Sequence, residues 1–136
     1  MRLESVRLPA RLKELGEFAF FLCDKLREIS IPDGIMHIAP GTFFGCSMLK
    51  HVDIPNTVVS IGKEAFMNCD SLRRITIPEG VVEIGESAFQ GCSKLEKVVI
   101  PESVRRIGQN AFKGCKMVPE GMRDAEDWEN RHWIQR

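Results

Sequence analysis

A repetitive α/β solenoid, built by stacking near-identical rungs, is the fold class this sequence predicts, and three observations carry that reading. Proline recurs every 23 residues at Pro9, Pro32, Pro55, Pro78 and Pro101, and cysteine keeps the same interval at Cys23, Cys46, Cys69, Cys92 and Cys115. Phe20, Phe43, Phe66, Phe89 and Phe112 form a third column, and Leu15, Ile38, Ile61, Ile84 and Ile107 a fourth. Ahead of each proline stands a short segment of alternating apolar residues, clearest at Ile75 and Ile77. Rare residues do not fall into register by chance, and self-similarity at a fixed period in the twenties marks a chain that stacks one structural unit upon the next.

Each part of the unit has its own physical reading. In Leu72-Arg73-Arg74-Ile75-Thr76-Ile77 the alternation predicts a strand with one buried face. Pro78 stops that strand, because proline has no N–H to give to a ladder. About 17 residues separate one strand from the next, too many for a hairpin but suited to a crossover that returns the chain to a parallel neighbour. About five parallel strands follow. Between them, Gly62-Lys63-Glu64-Ala65-Phe66-Met67 and its equivalents read as a short helical turn. Gly45, Asn68, Gly91 and Gly114 stand just before their cysteines, and Gly and Asn tolerate the left-handed conformation that ends a helix. Two rungs depart from the pattern. Leu22 stands where the others have Gly or Asn, predicting a longer or differently ended helix, and Ala39-Pro40-Gly41-Thr42 should disturb the start of its helical turn.

A period in the twenties with the opening L-x-x-[IV]-x-[IL]-P is a leucine-rich-repeat signature. The unit is best displayed from Leu72 to Ser93, LRRITIPEGVVEIGESAFQGCS. It closely resembles the 23-residue repeat of the BspA-like, treponemal-type leucine-rich-repeat family of bacterial surface antigens, over roughly Leu3 to Lys116. The combination of IP, IG, AF and C at fixed offsets carries the resemblance. It implies a right-handed, arc-shaped leucine-rich-repeat solenoid, with parallel strands on the concave face and short helical turns on the opposite side. It also implies a place among surface or secreted proteins of host-associated microbes that bind host proteins or other cells. No functional residue carries over, because the shared motif is structural throughout.

Composition narrows the function classes. The 136 residues suit one domain, and a hydrophobic content of 43% suffices for a real core. Nineteen Lys and Arg balance nineteen Asp and Glu, so no overall field gathers polyanions, which argues against a dedicated nucleic-acid binder. No stretch approaches the roughly 18 apolar residues of a membrane span, and the charged N-terminus lacks a secretory h-region. The expectation is a cytoplasmic protein if Met1 is the natural start, and a secreted or cell-surface one, as the resemblance implies, if the chain is part of a longer protein. The solenoid is expected over residues 1–116. Residues 117–136 break the period, and Ala125, Trp128 and His132 recur at helical spacing behind Asp124, so a helical cap over the last apolar rung is expected there. The strand at the start has no room for a cap, which leaves an edge open to self-association through the solenoid ends.

The residues that could carry chemistry are few. Five equally spaced cysteines lack the C-x-x-C clustering or converging histidines of a metal site. Rungs about 4.8 Å apart fall within disulfide range, yet stacked Cβ vectors run parallel and the count is odd. A buried, reduced thiol column is the preferred reading over disulfides or metal, and no cofactor is expected. Alternation turns Glu28, Ser30, His51, Asp53, Arg74, Thr76 and Lys97 outward on the concave face, where a protein or other macromolecular ligand would dock. Ser30, His51 and Asp53 invite a triad reading. That reading fails on placement, because His51 and Asp53 lie side by side on one strand, Ser30 should neighbour Asp53 rather than His51, and no oxyanion hole accompanies them. The expected function is therefore a non-enzymatic protein-binding or adhesion module, with a structural or self-assembling scaffold as the alternative.

Overall fold

The computed structural model describes residues 3–116, and the expected C-terminal cap at 117–136 lies outside them. The described chain is a solenoid of parallel strands. Alternation between a proline stop and an apolar column produces four three-residue strands, β1 (Glu28–Ser30), β3 (His51–Asp53), β5 (Arg74–Thr76) and β7 (Lys97–Val99). A second set, unanticipated in the sequence, consists of the two-residue strands β2 (His37–Ile38), β4 (Ser60–Ile61), β6 (Glu83–Ile84) and β8 (Arg106–Ile107). This second set forms one continuous parallel sheet in the order β2-β4-β6-β8, with Ile38, Ile61, Ile84 and Ile107 in register.

Two expectations are corrected. The described residues form four strands on the first face rather than five, and the first rung contributes only an isolated bridge from Ser5 to Glu28. On this rung Leu3 is exposed and Val6 only half-buried, so the apolar columns that seat the later strands are incomplete there. The larger correction concerns the helical turns, which do not form among the described residues. Around Phe66 the backbone N–H groups of Glu64, Phe66 and Asn68 donate to the carbonyls of Glu86, Ala88 and Gln90 in the next rung, at 3.0, 2.7 and 2.8 Å. The intervening N–H groups of Ala65, Met67 and Cys69 turn back three residues, to Gly62, Glu64 and Phe66. A helix would send every N–H to its own chain four residues earlier. Here half of them leave for the neighbouring rung, and the segment becomes a run of turns that is itself a ladder.

Such a run needs two left-handed residues per rung. They are Phe18 and Leu22, Gly41 and Gly45, Glu64 and Asn68, Ser87 and Gly91, and Asn110 and Gly114, all with φ between 55° and 82°. The position before each cysteine is left-handed as its Gly and Asn suggest, but it closes a turn, not a helix. Leu22, with φ 56°, adopts the same conformation as its counterparts, so the first rung is not differently ended. Likewise Gly41, with φ 66°, places the second rung in the shared geometry instead of disturbing it. Left-handed conformation costs a non-glycine residue about 1–2 kcal/mol, and the inter-rung hydrogen bonds offset that cost.

The core is a set of columns running along the solenoid axis. Leu26, Leu49, Leu72 and Leu95 are fully buried, as are Phe43, Phe66 and Phe89. The phenylalanine rings stack at centroid separations of 5.1 to 5.6 Å, nearly parallel in every pair except Phe43–Phe66, which tilts by 16°. Polar groups at the turns are matched across rungs. The Thr57 hydroxyl accepts the N–H of Gly34 and donates to the carbonyl of Ile35, and Ser103 repeats the clasp on Gly80 and Val81. At the first rung the apolar surface is less covered, and Phe18, Phe21 and Leu22 are exposed.

Gly62, Gly85 and Gly108 follow the isoleucines of the second sheet, and their N–H groups bond the carbonyls of Ile38, Ile61 and Ile84 at 2.7 to 2.8 Å. The approach is so close that a Cβ on Gly62 would lie 2.7 Å from the nitrogen of Pro40 and 2.8 Å from the oxygen of Ile38. Ala39 occupies this column one rung earlier, and among the described residues the ladder does not extend from it to Leu15. The side chain present there is the physical reason.

Candidate functional site

The face bearing β1, β3, β5 and β7 holds all seven residues that the sequence points to, and the register decides which of them meet. In β1 and β3, Glu28 lies opposite His51 and Ser30 opposite Asp53; in β5 and β7, Arg74 lies opposite Lys97 and Thr76 opposite Val99. Glu28, Ser30, His51, Asp53, Arg74, Thr76 and Lys97 are all exposed, while Ile29 and Ile75 between them are buried at 3%. Val52 and Val98, shorter than isoleucine, are half-buried against the same core. The Ser30 hydroxyl donates to the Asp53 carboxylate at 3.0 Å. His51 therefore has Glu28 across from it and no serine, and the arrangement does not relay a proton from Ser30 through His51.

Only structure reveals a break in this face. β1 pairs with β3 and β5 with β7, but β3 and β5 do not pair, so the face consists of two separate two-stranded sheets. In the flanking rungs the N–H groups of Lys50 and His51 donate to the Arg27 carbonyl, and those of Glu96 and Lys97 to the Arg73 carbonyl. The equivalent N–H groups of Arg73 and Arg74 have no such carbonyl partner among the described residues. A depression of about 600 Å³ opens alongside, lined by Lys50, His51, Ser71, Arg73, Arg74 and Lys94. A smaller one of about 300 Å³ lies along the break itself, between His51–Ile54 and Arg74–Thr76. Of the six residues lining the larger depression, only His51 and Arg74 belong to the row of seven; Lys50 and Arg73 immediately precede them, and Ser71 and Lys94 lie further out. Their signal was present, since they are 23 residues apart and just precede Leu72 and Leu95, but they stand outside the alternating segment.

His37 and Ser60, on the second sheet, also meet across rungs, with Nδ1 and Oγ 2.7 Å apart.

The cysteines form a column of free thiols. Each of Cys46, Cys69 and Cys92 is buried and donates its S–H to the carbonyl of a phenylalanine one rung back, Phe20, Phe43 and Phe66, at 3.1 to 3.2 Å. Burial pushes the Cys46 thiol up to about 11 and the half-buried Cys115 thiol up to about 12, with Cys92 adding to the latter. Burial and the neighbouring Cys92 likewise hold Cys69 well above the ordinary thiol range. A protonated thiol is a poor nucleophile and a poor metal ligand. The column packs and caps carbonyls.

The repeat, the parallel sheets on two faces and the phenylalanine and cysteine columns have counterparts in known proteins. A family model described as BspA type Leucine rich repeat region (6 copies) matches residues 1–118. The chain belongs to the BspA-type leucine-rich-repeat family. Its fold is similar to that of a leucine-rich repeat protein from Bacteroides ovatus, at 42% identity and a TM-score of 0.81 over 88% of this chain and 32% of that one. It is also similar to the Treponema pallidum leucine-rich repeat protein, at 31% identity and a TM-score of 0.82 over 87% of this chain and 58% of that one. A leucine rich cell surface protein from Faecalibacterium prausnitzii is 36% identical, with a TM-score of 0.77 over 83% of this chain and 31% of that one. The BspA-type chain thus spans about a third of the Bacteroides and Faecalibacterium proteins and 58% of the treponemal one. No curated protein matches it. Among the described residues, no helix is long and apolar enough to cross a membrane.

Proposed function

We propose that this chain is a non-enzymatic binding module that docks a protein or other macromolecule on its concave strand face, in a secreted or cell-surface setting. The observation that carries this reading is the row of exposed polar side chains Glu28, Ser30, His51, Asp53, Arg74, Thr76 and Lys97, set in fixed register over a buried core. Strands hold each side chain on a rigid base, so a partner meets a pre-organised surface and little ordering entropy is lost on binding. Arg74 and His51 lie on the facing strands at the centre of the row, and arginine with its fork of donors is frequent among residues that dominate interface energy. The family supports the same reading, because one similar protein is named for the cell surface.

The test is a screen of immobilised proteins and glycans followed by titration of variants against the best hit. Arg74→Ala and His51→Ala should each weaken binding by about 1–2 kcal/mol while shifting stability by less than about 0.5 kcal/mol. Ile75→Ala, which empties a position 3% exposed, should instead cost about 2–5 kcal/mol of folding stability. Wild-type affinity in both surface variants refutes docking on this face.

A further inference from the structure

The basic depression beside the break in the strand face has a chemistry of its own. Its lining holds four cations, Lys50, Arg73, Arg74 and Lys94, together with His51 and Ser71, and no carboxylate. The ion pair recorded among the described residues, Lys116 with Glu96 at 3.2 Å, involves none of the four. All four are exposed. In a chain whose charges cancel overall, four like charges around one cavity raise a local positive potential that attracts anions. The N–H groups of Arg73 and Arg74, left without a carbonyl by the missing β3–β5 ladder, add backbone donors at the same edge. Backbone N–H groups, a hydroxyl and guanidinium forks together are the donor set that tetrahedral oxyanions require.

The extent of the cluster limits the ligand. Along the stacked columns the cations run Arg27, Lys50, Arg73 between Glu4 and Glu96, and Arg74, Lys97 beyond Glu28 and His51, so the positive zone crosses about three rung spacings, roughly 15 Å, and carboxylates interrupt it at both ends. That length suits a few oxyanion groups on a short segment. Glu4, Glu28, Asp53 and Glu96 on the same face break the zone up, so it lacks the uninterrupted basic stripe that tracks a nucleic-acid backbone.

We infer that the cavity lined by Lys50, His51, Ser71, Arg73, Arg74 and Lys94 binds sulfate esters carried on a glycan chain. The choice of a sulfated glycan rests on the extracellular setting proposed above; the preference for a tetrahedral oxyanion rests on the cavity alone. Arg73 and Lys94 lie outside the seven residues of the proposed docking row, so their substitution separates the two ideas.

The experiment titrates a heparin-derived hexasaccharide into the 136-residue chain by calorimetry, at two salt concentrations, with the chemically desulfated hexasaccharide and a short single-stranded DNA as comparisons. Saturable binding of the sulfated sugar that weakens with salt is expected, with no heat from the desulfated one. Arg73→Ala combined with Lys94→Ala should lower affinity at least tenfold without altering the circular dichroism spectrum, while Arg7→Ala, on the same face but outside the cavity, should leave it unchanged. Equal binding of the desulfated sugar, tighter binding of the DNA, or an equal loss in Arg7→Ala would each overturn the assignment. Loss of sulfated-sugar binding in the double variant with protein binding intact would support it. Protein binding at the docking row with no glycan binding at all would refute it while leaving the docking row standing.

Discussion

Alanine at Gly85 and alanine at Gly16 are the same change in the same column of the repeat, yet they should have opposite consequences. Both glycines follow the aliphatic residue of the second-sheet column, and neither has positive φ, so backbone conformation does not distinguish them. Their surroundings do. A Cβ on Gly85 would lie 2.6 Å from the Lys63 nitrogen and 2.7 Å from the Gly62 carbonyl carbon, whereas a Cβ on Gly16 would meet no heavy atom within 4 Å. Contacts near 2.6 Å against backbone cannot be relieved by turning a side chain; the rungs themselves must part. Parting them gives up the 2.8 Å bond from Gly85 N–H to the Ile61 carbonyl, worth about 1 kcal/mol, on top of the roughly 1–3 kcal/mol typical of overpacking. Gly85→Ala should therefore destabilise by about 2–4 kcal/mol. Gly16→Ala should be neutral, or stabilising by up to about 1 kcal/mol, because alanine has less backbone entropy to lose on folding. Urea unfolding followed by circular dichroism measures both. Costs that agree to within about 0.5 kcal/mol would mean that rung spacing is not set by this close approach, and would also remove the explanation given for the missing bond at Ala39.

Two further outcomes follow from the core. Phe66→Ala removes a fully buried ring stacked on both sides at 5.1 Å, and should cost about 3–5 kcal/mol in the same unfolding assay; a cost under about 1 kcal/mol would show that the ring column does not hold the rungs together. Unfolded thiols ionise near 9, while Cys46 is pushed up to about 11 and Cys115 to about 12, so above pH 9 the unfolded chain binds fewer protons than the folded one. Stability should be undiminished below pH 9 and decline from there through pH 11, more steeply in wild type than in Cys46→Ala; parallel Tm profiles between pH 8 and 11 would count against ionisation of the buried thiols as the cause.

Much of the solenoid is legible in the sequence because its rules are local. Alternation around Ile29 and Ile75 announces strands with one buried face, and the period of 23 sets which residues stack, so the pairings of Ser30 with Asp53 and of Glu28 with His51 follow from counting alone. The burial of the leucine, isoleucine, phenylalanine and cysteine columns comes from the same arithmetic. The seven exposed residues of the strand face are likewise readable from alternation, although what they bind is not.

Tertiary structure decides wherever a group must choose between a partner in its own rung and one in the next. The segment around Phe66 has residues compatible with a helical turn, yet the Phe66 N–H goes to Ala88 instead of back along its own chain, and a ladder of turns replaces the helix. The same competition creates the short second sheet at Ile38, Ile61, Ile84 and Ile107, whose two-residue strands are too brief to show alternation. It also separates Gly85 from Gly16, which share a column of the repeat but not what lies beside them. The break between β3 and β5, with the basic cavity next to it, belongs to this class as well. A repeat specifies which residues are stacked through hydrophobic columns with a fixed period. Whether two stacked backbones close to hydrogen-bonding distance depends on the packing of every rung between and around them, and that sum is made only in three dimensions.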